Sequence, residues 1–386
     1  MITREISDKV EALWGKFPVL TITGPRQSGK TTLIKSIDFD LPYVSLEDPD
    51  IREIATEDPR RFLDNYPKGI ILDEVQNVPK LFSYIQGIVD NSDKRYVLSG
   101  SQNFQLIESI SQSLAGRTAI LKLLPLSFSE ITTDVEVESF YELIFKGSYP
   151  RIYDKNIHPN DYYPSYINTY IERDVRLIKN IDNLGLFTKF IKLCAGRIGQ
   201  PLNVTNLAND TGVSSNTASS WLAILEASYI IHFVQPYYKN YNKRITKASK
   251  LYFVDTGVAC SLLGLEYSDQ LKTFYMIGNL FENMVVNELV KFRFNIGLPS
   301  KIYYWQNRNR KEIDIIVDNI NGPIVVEVKS GSTKTTKYFD NIKYWRSVTK
   351  DSTQDAYVVY GGDDDLSLGQ DHLVSWRNIN RIKDIM

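Results

Sequence analysis

Eight residues near the start of the chain, Gly24, Pro25, Arg26, Gln27, Ser28, Gly29, Lys30 and Thr31, match the pattern GxxxxGK[ST] at every fixed position. They lie between an apolar run, Val19 to Thr23, and a stretch of helical character, KTTLIKSI. That is the context the pattern needs, because such a loop works only when a buried strand delivers it and a helix N-terminus receives it. Glycines let backbone amides close around phosphate oxygens, and the helix end adds positive potential to the cradle. Gly24 to Thr31, with Thr32, are therefore the expected nucleotide-binding residues. Lys30 is expected to reach the β and γ phosphates of ATP, and Thr31 to offer its hydroxyl to Mg²⁺.

A second apolar run, Gly69-Ile70-Ile71-Leu72, ends in Asp73-Glu74. Asp73 is placed to hold the ion opposite Thr31, and Glu74 to orient or deprotonate the attacking water. The competing reading is a solvated strand end.

Apolar runs at Val19 to Thr23, Tyr43 to Leu46, Gly69 to Asp73, Tyr96 to Ser99 and Ala119 to Leu123 alternate with helical periodicity. That alternation predicts an α/β fold around a parallel sheet. At 386 residues the chain has material for two or three domains. The boundaries expected are 1–130 for the P-loop domain, 131–254 for a helical region, and 255–386 for a C-terminal α/β domain. Within the middle region, NVTNLANDTGVSSNTASSWLAILEASYIIHFVQPY reads as helix, turn, helix and strand, the order of a winged helix.

A net charge of -1 argues against a surface that coats nucleic acid non-specifically, so any DNA contact is expected to be local. Cys194 and Cys260 stand far apart without partner spacing, which argues against a disulfide framework or a structural zinc. The start MITREISDKVEALW has no apolar signal core, and no apolar run approaches the roughly 18 residues of a membrane span. A cytoplasmic location and no membrane partner are expected.

The C-terminal region offers a second constellation: Asp314 in one apolar run, Glu327 and Lys329 in the next, and Glu282 on a preceding helix. Carboxylates from adjacent strands can share a divalent metal, here a second Mg²⁺ or Mn²⁺. Lys329, two residues after Glu327, faces the same side of its strand and could position a water. The competing reading is a wet edge strand, or a Glu327–Lys329 neighbour pair of no consequence.

Through GPRQSGKT, GIILDEVQ, LSGSQN, SLAGR, PLSFSE, YIERDV, KLYFVDTG, FENMVVNEL, EIDIIV and VVEVKSG, the chain resembles bacterial and archaeal AAA-type P-loop ATPases joined to a C-terminal domain of unknown function. The resemblance implies an AAA-like core, a winged-helix middle and a C-terminal domain similar to PD-(D/E)XK nucleases, of restriction-endonuclease-like fold. The nuclease pattern falls on Glu282, Asp314, Glu327 and Lys329, with Ile313 where the proline would stand. In AAA-type proteins a polar sensor sits where this chain has Ser101 or Gln102. An arginine finger, acting on a neighbouring copy, sits where it has Arg117. A simple turn and a solvated arginine are the plain alternatives, and a finger in trans would make a homo-oligomer a partner.

DNA is a candidate partner through Lys239, Lys243, Arg244, Lys247 and Lys250, and through Arg308, Arg310 and Lys311, with Tyr237, Tyr238 and Tyr241 available for stacking. Against it, the second helix of the middle region carries no early Lys or Arg. The tyrosines of DYYPSYINTYIERDVR read better as core than as ligand surface. Three readings stand: ATP hydrolysis coupled to a nucleic-acid-associated, DNA-cleaving C-terminal domain, an ATP-controlled binding switch whose nuclease-like fold is inert, or a ligand-sensing ATPase of the signalling type whose helical middle binds a small molecule or peptide.

Overall fold

The computed structural model describes residues 2–101, 113–175, 181, 183–237, 248–307, 309–319, 322–349 and 355–386. They divide into two compact units. The first comprises Met1–Leu126, Ala227–Tyr229 and Arg293–Leu298, the second Ser127–Glu226, Ile230–Phe292 and Pro299–Met386.

The first unit is built on strands β1 (Val19–Thr23), β2 (Tyr43–Ser45), β3 (Gly69–Asp73), β4 (Arg95–Gly100) and β5 (Thr118–Lys122). All are parallel, in the order β2-β3-β4-β1-β5. Each apolar run feeds both faces of the sheet, because successive side chains alternate. Val19, Ile70, Leu72, Tyr96 and Leu98 pack on one side with Leu81, Phe82 and Ile85 of the helix Lys80–Val89. Leu20, Ile22, Ile71, Val97 and Leu121 pack on the other with Leu33 and Ile34 of the helix Lys30–Ser36. The central strands thus have no wet face, which explains their continuous apolar sequence.

The second unit begins with helices. Around Phe140–Lys146, Pro150–Asp154 and Pro159–Tyr166, the side chains of Tyr149, Tyr162, Tyr163 and Tyr166 are buried, and Tyr149 and Tyr166 share a hydroxyl contact of 2.7 Å. These rings are core. Helices Val204–Thr211 and Ser215–Ala227 then meet at Gly212, whose φ of 92° is left-handed and suits glycine at a helix end.

Strands β6 (Ile231–Pro236) and β7 (Lys250–Phe253) follow, and β8 (Ile302–Gln306), β9 (Glu312–Val317), β10 (Ile324–Lys329), β11 (Ala356–Tyr360), β12 (Leu366–Leu368) and β13 (Asp371–Ser375) complete the sheet. Its order is β12-β13-β11-β10-β9-β8-β6-β7. Through the parallel pair β6–β8, the strands after the helix-turn-helix join those of the C-terminal region in one sheet. Of the candidate DNA contacts, Lys239, Lys243, Arg244, Lys247, Tyr238 and Tyr241 lie outside the described residues.

An edge strand must satisfy its outer backbone groups. Here asparagines at intervals of four on the long helix Ile277–Asn295 serve β7 and the segment bridged to it: Asn283 exchanges two hydrogen bonds with the Phe253 backbone, Asn287 donates to Phe253 O and Val254 O, and Asn279 donates to Ile198 O, whose residue bridges Leu251. Spacing by four keeps the three on one helix face. Asn287 also accepts from His232 Nε2 at 2.9 Å.

Burial lowers the His232 pKa from 6.5 to about 4, against the opposing pull of that hydrogen bond. The folded ring therefore stays neutral while the unfolded chain takes up a proton below pH 6.5, so stability present above that pH is lost on the way down to about 4. Denaturant melts should show the parent losing on the order of 2 kcal/mol between pH 7 and pH 5 that a His232→Gln variant retains. Equal losses in both proteins would contradict this assignment.

Candidate nucleotide site and C-terminal acidic cluster

The loop from Gly24 to Thr31 leaves the C-terminal end of β1 and opens the helix Lys30–Ser36. Its geometry depends on glycine. A Cβ on Gly24 would lie 2.0 Å from Leu123 O, and Gly29 caps the helix at a left-handed φ of 95°. Arg4, buried, donates from Nη1 to Ser28 O and from Nη2 to Leu124 O, both at 2.7 Å, and so ties the loop to the chain leaving β5. On the other side Thr23 Oγ1 lies 2.9 Å from the Tyr229 hydroxyl. The loop is held from both flanks before any ligand arrives.

Lys30 Nζ donates to Gly24 O at 3.1 Å and to Pro25 O at 2.9 Å. Burial draws its pKa down to about 8, opposed by the charges of Glu74 and Asp73, so the ammonium persists at neutral pH. The Ser28 hydroxyl is buried and has no hydrogen-bond partner. An orphaned buried donor inside a loop of backbone amides, with an ammonium beside it, suits a polyanion.

Thr31 Oγ1 donates to Asp73 Oδ2 at 2.7 Å. The Tyr43 hydroxyl donates to the same oxygen at 2.7 Å, and Ser99 donates to Oδ1. Burial works against the Asp73 charge, yet these three hydrogen bonds and the nearby Lys30 hold its carboxyl below the usual range. The donor set of Thr31 and Asp73 therefore fits Mg²⁺, a hard cation that takes hydroxyl and carboxylate oxygens.

Glu74 follows with a left-handed φ of 55°, uncommon for a residue with a side chain, and its Oε2 accepts from Gln76 and, at 3.1 Å, from Ser101. Ser101, expected as a sensor, thus lies against the expected water-activating carboxylate. Gln102 lies outside the described residues.

Arg117 lies elsewhere. It immediately precedes β5, whose first residue Thr118 pairs with Val19 at the start of β1, so it sits at the end of the strands opposite the loop. Its guanidinium chelates the Asp90 carboxylate at 2.6 and 2.8 Å.

In the second unit the sheet brings Glu282, Asp314, Glu327 and Lys329 together, and adds Lys250, Tyr252 and Glu312. Alternation along each strand puts Lys250 with Tyr252, Glu312 with Asp314, and Glu327 with Lys329 on common faces. Lys329 Nζ donates to Glu327 Oε2 at 2.5 Å and to Asp314 Oδ2 at 3.4 Å, and Val328 N donates to Asp314 Oδ2 at 2.8 Å.

Lys250 is a correction to the sequence reading. It belongs to no exposed phosphate-binding patch: it is 0% exposed, and its ammonium donates to Glu282 Oε1 at 2.9 Å and to Glu312. Tyr237 is likewise buried, against Trp345 and Tyr303, and is unavailable to stack on bases. Arg310 and Lys311 are exposed, and Arg308 lies outside the described residues.

Among the described residues, single oxygens of Glu282, Glu312 and Asp314 lie within 4.8 Å of one another. Glu312 thus takes the place expected for Glu327 in the group that could surround an ion. Burial, then the Asp314 charge, pushes Glu327 up to about 9, so it carries a proton at neutral pH. Burial raises Glu282 to about 7 even with Lys250 beside it. Burial opposes the charge of Asp314 too, but Lys329 and Lys250 keep its pKa low.

Comparison with known proteins divides the chain in three. Residues 16–132 match the family described as AAA domain, residues 137–269 a domain of unknown function, DUF8612, and residues 277–379 another, DUF4143. The first match spans the whole loop, Asp73, Glu74 and Ser101, so this segment is similar to AAA domains across every residue of the nucleotide site described above. Uncharacterized proteins of Mycobacterium bovis and Mycobacterium tuberculosis are each 27% identical over 337 residues, covering 86% of this chain and 74% of theirs. An uncharacterized protein of Haemophilus influenzae is 21% identical, covering 75% of this chain and 76% of its own. Among solved structures, a Walker-type ATPase of Pyrococcus abyssi is 13% identical, covers 68% of this chain and 96% of its own, and has a TM-score of 0.42. No helix among the described residues is long and apolar enough to cross a membrane.

Proposed function

We propose that this protein hydrolyses ATP at the loop of the first unit and uses the turnover to switch a C-terminal module that binds its partner without cutting it. The observation that carries the first half is the juxtaposition of Thr31, Asp73, Glu74 and Ser101 around one end of the sheet, beside the orphaned Ser28 hydroxyl. Phosphoryl transfer asks a protein for positioning and charge stabilisation more than for covalent chemistry. Backbone amides from Arg26 to Thr32 hold the phosphates, and Lys30 exchanges the carbonyls of Gly24 and Pro25 for phosphate oxygens. Thr31 and Asp73 would hold Mg²⁺, which neutralises phosphate charge when bound. Glu74, anchored by Ser101 and Gln76, orients the attacking water and accepts its proton.

For the second half, DNA is the partner class favoured by exposed Arg310 and Lys311 near the acidic cluster. Cutting at Asp314, Glu327 and Lys329 with Mg²⁺ or Mn²⁺ is the rival reading. Binding is favoured because a buried ammonium, Lys250, already lies between Glu282 and Glu312.

One experiment addresses both halves. Purified protein is given ATP and Mg²⁺ with supercoiled plasmid, before and after EDTA, beside Asp314→Ala and Lys329→Ala variants. Phosphate release that stops with EDTA, and plasmid left intact by all three proteins, are the expected results. No phosphate release would sink the ATPase reading. Nicking by the parent that both variants lose would replace binding with cleavage.

A further inference from the structure

We infer that Lys250 is a built-in cation that closes the C-terminal acidic cluster to divalent metals. The inference rests on the binding reading of the C-terminal module and supplies its physical basis. Three carboxylates whose oxygens lie within 4.8 Å of one another need positive charge among them, and elsewhere such a group would suit a hard dication. Here the charge comes from within the chain. Lys250 Nζ lies 2.9 Å from Glu282 Oε1 and also donates to Glu312, the two members of the group that do not face Lys329. An ion bound to Glu282 Oε1 at about 2.1 Å would stand no farther than roughly 5 Å from that ammonium, with little water between them to screen the repulsion.

Lys250 cannot readily withdraw. Its backbone pairs with Val234 of β6 and bridges Pro201, its side chain is fully buried, and its ammonium lies 5.3 Å from the centre of the Tyr304 ring. The carboxylates are also engaged by other donors. Tyr252 donates to Glu282 Oε1, Gln306 Nε2 to Glu312 Oε2 at 2.7 Å, and Val328 N to Asp314 Oδ2 at 2.8 Å. A metal entering this cluster would have to expel a buried ammonium and break these bonds as well. Lys329 lies on the other side, against Asp314 and Glu327, so two lysines from different strands bring positive charge to the group.

The test is a Mn²⁺ titration of the full-length, nucleotide-free protein, followed by the paramagnetic resonance signal of free Mn²⁺. The parent should show no Mn²⁺ site that Asp314→Asn removes. Lys250→Met should gain one site per chain, at least tenfold tighter than any binding by the parent, and Asp314→Asn added to it should abolish that site. A site in the parent that Asp314→Asn removes would overturn the inference, as would a folded Lys250→Met protein that gains none. If Lys250→Met does not fold, Lys250→Gln replaces it, and the parent against Asp314→Asn decides by itself. Phosphate release measured on the same samples keeps the two readings apart: its absence from all of them indicts the nucleotide site, whatever the Mn²⁺ result.

Discussion

A Lys30→Ala protein is expected to bind ATP at least tenfold more weakly than the parent and to release phosphate about a hundredfold more slowly at saturating ATP. The reason is where the ammonium now sits. Lys30 is buried, keeps its charge against burial, and spends its protons on the carbonyls of Gly24 and Pro25 within the loop itself. Phosphate oxygens are better acceptors than carbonyls, so charge-assisted bonds replace neutral ones when the nucleotide binds. Alanine removes both the attraction in the ground state and the charge that balances the transferring phosphoryl group. Isothermal titration with a non-hydrolysable ATP analogue and a phosphate-release assay separate the two losses. Circular dichroism melts should be close to the parent's, because the two carbonyls lie in a loop that Arg4 continues to hold. Turnover undiminished in Lys30→Ala would mean that the loop is not where ATP is hydrolysed.

The loop and its strands were legible because their signals are local. Val19–Thr23 and Gly69–Asp73 have the bounds expected of them, since a parallel strand buried on both faces is a continuous apolar run with a sharp polar end. Adjacent residues in sequence also form the Asp73–Glu74 pair. What holds that pair was not legible: Tyr43 comes from β2, Ser99 from β4 and Ser101 from just beyond it. Only the order β2-β3-β4 brings these hydroxyls to one place, and no periodicity in the sequence encodes strand order.

Lys250 shows the same limit more sharply. It stands at the end of a stretch with four other basic residues, which by composition reads as a solvated surface. The residues after it, Leu251-Tyr252-Phe253, are apolar, and that contrast was the available sign that the chain turns inward there. Its partner Glu282 lies 32 positions away on a helix, and Glu312 lies 62 away on a strand, so the pairing exists only once the sheet has formed. Glu312 carries no such sign in the sequence: Asp314 breaks the apolar centre of the strand, while Glu312 opens it, where a polar residue needs no explanation.

Glu74→Gln should separate binding from chemistry. Glutamine keeps an oxygen that can accept from Ser101 and Gln76, so the side chain can remain where Glu74 is held now. It cannot take a proton from water. ATP affinity is therefore expected to stay within about threefold of the parent, while turnover falls by a factor on the order of 10² to 10³. The backbone at this position, already left-handed at φ 55°, is asked nothing new by the substitution, which keeps a fold defect from imitating a catalytic one. A quench-flow burst experiment with radiolabelled ATP tests this directly: the variant should trap uncleaved ATP where the parent yields ADP. Equal rates of cleavage would show that Glu74 only braces Ser101, and the proton would then have to leave by another route, with Asp73 and Glu47 the other carboxylates near the loop. Trapped ATP would also give the protein in the state that the switch reading requires, with nucleotide bound and turnover stopped. Partner binding could then be compared between that state and the nucleotide-free parent.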